Sequence, residues 1–150
     1  MNQPFPQSYS EEVLYDLESE RRVTSSMLHS EEACVEAYHV LTAADFYSPR
    51  HATIFELTCS LFERDIRPTY VELLKEGHTL GILTNPRDIE EIKFVAEHYI
   101  DDENIRYWIK RVKDKSKLRK FDAFLRRSIQ ILAEGQELEA DDILMSAEEE

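Results

Sequence analysis

The sequence predicts an all-α fold, a small helical bundle of about five to six helices followed by a long-helix hairpin. Three observations carry this. Only three glycines occur in 150 residues, which disfavours the glycine-demanding turns of β architectures and phosphate-cradling loops. Apolar residues recur three and four positions apart, the period of a helix with one buried face. Residues 101–134 contain neither Gly nor Pro, so nothing in that stretch interrupts a long helix. With 42% apolar residues, a chain of this size buries roughly 68–70% of its unfolded surface, enough for a core.

Taken in order, residues 1–9 form a loose tail carrying Pro4 and Pro6. The first helix begins between Ser10 and Leu17 and ends near His29. Ser30 is an N-cap, with Glu31 and Glu32 in the first turn, where the helix dipole favours negative charge. This second helix reaches about Leu41, and a loop follows over Thr42–Tyr47. Ser48 and Pro49 start the third helix, since Pro fits a first position whose N–H has no partner. Ile54, Leu57, Leu61 and Phe62 give that helix its stripe, and it ends near Arg64. Thr69 and Glu72 have the spacing of a capping box for a short fourth helix, and Gly77 is a plausible left-handed stop. After a loop to Asn85, Pro86 and Asp88 open a fifth helix with Ile89, Ile92, Val95 and Ala96 facing inward.

The predicted long helix runs over Asp101–Gly135. Its stripe changes phase. Ile105, Trp108, Ile109 and Val112 share one face, residues 113–117 contain no apolar side chain, and Leu118, Phe121, Leu125, Ile129 and Leu132 form a second stripe. The step from Val112 to Leu118 turns the face by about a third of a turn at 3.6 residues per turn. The first half should dock on the globular core and the second half project beyond it. A last helix carrying Leu138, Ile143, Leu144 and Ala147 folds back after Gly135. The division expected is therefore a globular subdomain over 1–100 and a hairpin over 101–150, with the second arm cut short at Glu150. Charge is segregated along this hairpin. Residues 110–127 hold nine basic and two acidic side chains, whereas 134–150 hold eight acidic and no basic ones. Opposite charge along the seam favours the pairing, each exposed pair adding little.

Several chemistries are excluded. A net charge of −13 argues against strong DNA binding by this chain itself, because such affinity rests on neutralising phosphates. There is no G-x-x-x-x-G-K-[ST] for a nucleotide, no H-E-x-x-H, no zinc-spaced Cys/His set and no G-x-S-x-G. No catalytic, cofactor-binding or metal-binding residue is therefore assigned, and the chain is not expected to be an enzyme by itself. Cys34 and Cys59 lie in helical apolar patterns, so a reducing cytoplasm is the simplest location. No signal peptide or 18-residue apolar run is present. The acidic clusters at Glu11, Glu31 and Asp101 read as solvated helix starts. His51 reads as a histidine packing on Phe46 or Tyr47 and capping a backbone group. The basic run, with Lys110, Lys113, Lys117 and Lys120, is a candidate contact for an acidic partner or DNA, against the plainer reading of a solvated helix face. The Leu118–Leu132 stripe is a candidate self-association surface, because exposed apolar patches usually mark interfaces.

Three segments in order carry a resemblance. Leu17 to Leu28 reads L-E-S-E-R-R-V-T-S-S-M-L. Asp45 to His51 reads D-F-Y-S-P-R-H and runs into Ile54, Phe55 and Glu56. Asn104 to Tyr107 reads N-I-R-Y, and Val112 to Arg119 reads V-K-D-K-S-K-L-R. Together, over about half the chain, they resemble the N-terminal domain of bacterial replicative DNA helicases of the DnaB family. The resemblance implies a small helical bundle followed by a hairpin. It implies hairpins pairing between neighbouring subunits into a trimer of dimers within a hexamer, and primase, with a helicase loader as a further candidate, docking on this collar. ATP and Mg2+ would belong to a separate motor domain further along, and this piece would hold six motors in register. The chain departs from the pattern after the fourth helix, where Gly77 to Asn85 reads G-H-T-L-G-I-L-T-N, and in the first helix, where Arg22 and Thr24 replace small residues. These departures bear on the primase-contact surface, so no partner-contact residue is carried over. Two alternatives remain open: the C-terminal helicase-binding domain of a primase, which resembles the same bundle and hairpin, and a free-standing helical adaptor in replication.

Overall fold

The computed structural model describes residues 9–83, 85–135 and 139–148, and among these there is no strand. Among the described residues seven α-helices follow one another: α1 (Leu17–His29), α2 (Glu31–Val40), α3 (Pro49–Glu63), α4 (Tyr70–Thr79), α5 (Pro86–Glu97), α6 (Ile105–Glu134) and α7 (Ala140–Glu148). Compact packing divides the chain into one unit over Met1–Ser116 and a second over Lys117–Glu150. Residues 105–116 of α6 thus belong to the first unit.

Side-chain caps explain where five of the helices begin. Asp16 accepts the Ser19 N–H at 3.1 Å, Ser30 the Ala33 N–H at 3.2 Å and Ser48 the His51 N–H at 3.4 Å. Thr69 accepts the Glu72 N–H at 3.2 Å and Asn85 the Arg87 N–H at 2.9 Å. Each bond satisfies a donor that the first helical turn leaves unpaired.

Two apolar clusters fill the first unit. One joins Val23 and Met27 of α1, Ala33, Cys34 and Ala37 of α2, Phe55 of α3, and Ile105, Ile109 and Val112 of α6. The other joins Leu28, Ile54, Leu57, Leu61, Leu73, Ile92 and Val95 from α1, α3, α4 and α5. Cys34 and Cys59 are free thiols. Burial pushes the Cys34 thiol up to about 11 and the Cys59 thiol up to about 12, so both behave as small apolar side chains.

Four expectations change. Gly77 does not stop α4, which continues to Thr79; the left-handed residue is Gly81, at φ 68°. Gly77 is instead buried in the helix, and a Cβ there would collide with the Leu83 side chain. The glycine serves close approach, a use that looks identical in sequence to a C-terminal stop. Ile89 stays 39% exposed while Ile92 and Val95 are buried, because it lies to one side of the inward arc of α5. The long helix begins at Ile105, preceded by a turn, in which Asp102 accepts from the Ser30 hydroxyl at 2.7 Å and the Tyr99 hydroxyl at 3.3 Å. His51 neither packs simply on an aromatic neighbour nor caps a backbone group through its ring; its ring meets two carboxylates, described below. Leu138 lies outside the described residues.

The phase break in α6 has a physical cause. The buried face passes from Val112 to Ser116, one turn on. Ser116 donates to Asp45 Oδ1 at 2.7 Å, and Lys113 Nζ lies 3.0 Å from Asp45 Oδ2. Asp45 also accepts the Thr42 N–H at 2.8 Å. Burial pushes the Asp45 carboxyl up, but the bonds from Thr42, Ser116 and Lys113 outweigh it and hold the group below the usual carboxylate range. The core face therefore continues through a polar contact that an apolar pattern cannot register.

Candidate self-association surface

The second unit is built from the last part of α6 and from α7. Along α6, Leu118 is 40% exposed, Phe121 57%, Leu125 40%, Ile129 68% and Leu132 62%. At 100° per residue these five fall within about 80° of arc, so they form one stripe. Phe124, 47% exposed, lies at its edge. On the other flank Asp122 and Arg126 pair at 3.1 Å one turn apart.

The return helix covers a different face. The Arg127 guanidinium donates to the Ser146 carbonyl, and a Cβ on Gly135 would stand 3.2 Å from Ile143 Cδ1. Arg127 is two residues past Leu125, hence about 160° around the helix from the stripe. Gly135, ten residues past Leu125, lies about 80° from it on the Phe124 side, so α7 packs along that flank of α6, and the five stripe residues stay at least 40% exposed. On α7 itself, Leu144 and Met145 are each 61% exposed.

The four lysines of the basic run have different surroundings. Lys110 pairs with Asp114, and Lys113 is committed to Asp45. Lys117 and Lys120 are exposed. The basic run also anchors α6 within the first unit: Arg111 pairs with Asp16, and Lys115 Nζ donates to the carbonyls of Glu12 at 2.7 Å and Val13 at 3.1 Å.

One arrangement was not visible in the sequence. Glu20, 1% exposed, accepts the N–H groups of Tyr47 at 3.0 Å and Ser48 at 3.1 Å. Its Oε1 also lies 3.1 Å from His51 Nδ1, while His51 Nε2 lies 2.8 Å from Glu91 Oε1. Arg21 meets the same Glu91 oxygen at 3.2 Å. Helices α1, α3 and α5 are thus tied by one buried polar chain. Burial raises the Glu91 carboxyl, yet the bonds from His51 and Arg21 outweigh this and hold it low. The partners lie 31 and 40 residues from His51, beyond any local pattern. The only signal was a Glu on the otherwise buried face of the first helix.

Among the described residues no cluster of three or more His, Cys, Asp and Glu side chains has the arrangement to hold a metal ion. No described helix is long and apolar enough to cross a membrane. The surface that stands out is the open stripe.

A comparison with curated proteins gives no match. Among solved structures, the fold is similar to the N-terminal domain of DnaB helicase from Mycobacterium tuberculosis, with a TM-score of 0.80 and 23% identity over 90% of this chain and 95% of that one. The model of the DnaB-like helicase N-terminal domain family matches residues 12–114. That match spans the segments around Leu17–Leu28, Asp45–His51 and Asn104–Tyr107 as well as the caps and cores that position them, and the chain belongs to the DnaB-like helicase N-terminal domain family.

Proposed function

We propose that this chain is the assembly and docking collar of a replicative DNA helicase acting in the cytoplasm. The observation that carries the reading is an apolar stripe, Leu118, Phe121, Leu125, Ile129 and Leu132, left 40–68% exposed on α6 in a chain of this family. A soluble protein rarely leaves such a row uncovered without a partner for it. The partner is a second copy, and such dimers, three to a ring, build a hexamer. The division proposed is a globular subdomain over 1–100 and a hairpin over 101–150, the first turns of whose long helix contribute Ile105, Ile109 and Val112 to the core. ATP and Mg2+ act in a motor domain elsewhere in the helicase, and primase or a loader docks on the collar. Of the four candidate lysines, Lys110 and Lys113 pair with carboxylates within the chain, and the exposed Lys117 and Lys120 are the ones proposed to meet an acidic partner.

The test is solution mass. Phe121→Asp and Leu125→Asp should each convert a self-associating chain to a monomer while the helical circular-dichroism signal is retained. A wild-type chain that is monomeric at high concentration overturns the self-association. Titrating the replicative primase against wild type and the Lys117→Glu/Lys120→Glu pair, by calorimetry, tests the docking separately.

A further inference from the structure

Helices α1 and α5, with the segment that follows α5, leave a cavity of about 360 Å3 between them. Arg21, Arg22 and Ser25 line it from α1, and Phe94, Val95 and Ile100 from the other side. Ser25 stands four and three residues past the two arginines, so it lies one turn on, along the same side of α1. Both guanidinium groups are held in place. Arg21 lies over the Phe94 ring, 5.1 Å from its centroid, and Arg22 over the Trp108 ring at 4.6 Å. Arg21 Nε donates to Glu91 and Arg22 Nε to Glu18, each at 3.2 Å. A guanidinium stacked by its face keeps its amino edge for in-plane bonds, and these contacts commit only the Nε of each. Ser25 is 4% exposed, and its hydroxyl has no bond partner among the described residues. Buried polar groups in folded chains are almost always bonded, and a hydroxyl in the wall of a cavity can be satisfied by what enters it.

We infer that this cavity binds a small monocarboxylic acid with a compact apolar body, its carboxylate held by Arg21, Arg22 and Ser25 and its body set against Phe94, Val95 and Ile100. The inference is independent of the self-association and docking proposed above. Four features select the ligand. The planar fork of arginine matches a carboxylate, and the Ser25 hydroxyl adds a neutral donor that a carboxylate oxygen can accept from. Phe94 and Ile100 are 39% and 63% exposed, and Val95 is buried beside them, so the rest of the ligand is apolar. Its charge stops at one, because Glu18 and Asp101 also border the cavity and would repel a dianion such as phosphate. The volume lies at the small end of the roughly 300–1,000 Å3 that ligand sites span, which suits an acid built on a single ring.

Phenylacetate is the probe, titrated into the full chain and followed by amide-resolved NMR. It should move the signals of residues 21–26 and 94–101 with a Kd of about 1 mM or tighter, the range open to so small a ligand. Phenylacetamide, the same shape without the charge, should bind about tenfold more weakly. Inorganic phosphate should leave these signals in place. Arg22→Gln should weaken phenylacetate binding about tenfold, the loss expected for one charge-assisted bond. Ser25→Ala should weaken it several-fold without lowering the melting temperature, since the hydroxyl it removes has no partner in the fold, and this separates lost binding from lost folding. Acid and amide binding alike, phosphate competing on equal terms, no movement of these signals, or an affinity untouched by both substitutions would each overturn the inference. A short peptide ending in phenylalanine presents the same two groups. It should bind more weakly than phenylacetate, and tighter binding would overturn the small-molecule reading in favour of a chain end.

Discussion

Glu20, His51 and Glu91 form the most consequential contact in the first unit at the scale of single residues. Glu20 is a charged side chain almost wholly removed from water, tolerable only because two backbone N–H groups and an imidazole nitrogen face it. Replacing it with Ala would strand the Tyr47 and Ser48 donors and the His51 ring. Leaving a buried donor unsatisfied costs about 1–3 kcal/mol, and several are stranded here, so Glu20→Ala should lower the melting temperature far more than any surface Glu→Ala, as a thermal unfolding curve would show. Asp45 gives a pH signature. Its carboxyl is held below the ordinary range, so its contribution to stability is present above that range and is lost as pH falls through the lowered value. Asp45→Asn should destabilise the chain at neutral pH by about 1–3 kcal/mol, the size expected when a buried bonded acceptor is lost. The gap from wild type should shrink as unfolding is repeated at progressively lower pH. An unchanged gap in acid would show that Asp45 acts through packing alone.

Among the elements, what the sequence made legible was whatever is encoded within one turn. Ser30, Ser48 with Pro49, and Thr69 were readable because a cap and its N–H donor lie within a few residues. The stripes of α3 and α6 were readable because one helix sets their period. Features that depend on a distant partner were not. Gly77 is small because Leu83 returns against it, and Ser116 is buried because Asp45 bonds it; neither requirement leaves a local trace. The same limit hid the Glu20–His51–Glu91 chain. Gly77→Ala tests this directly. In an isolated helix the change gains about 1 kcal/mol of propensity. Here the new methyl collides with Leu83, whose displacement costs about 1–3 kcal/mol. The variant should therefore be less stable than wild type in a urea titration. A more stable variant would mean that Leu83 moves aside freely.

For the whole molecule, the division at Ser116 and Lys117 separates the core contacts of α6 from the stripe proposed to join one copy to another. Every α6 residue in the buried clusters, Ile105, Ile109 and Val112, precedes that point, as do the bonds from Arg111, Lys113, Lys115 and Ser116. The proposed interface residues all follow it. A chain ending at Ser116 keeps three turns of α6 with the complete set of core contacts, and should fold with a melting temperature within about 5 °C of the monomeric Phe121→Asp chain, a difference of roughly 1 kcal/mol for a domain of this size. It should also lose all concentration dependence of that temperature, because mass action stabilises only a species that associates. The longer wild-type chain should melt higher as concentration rises. If the shortened chain is unfolded, the hairpin stabilises the bundle itself, and the separation of roles along α6 fails. If it folds and still associates, the seam lies on the globular unit, where Leu80, Phe94 and Ile100 are the exposed apolar side chains to test next.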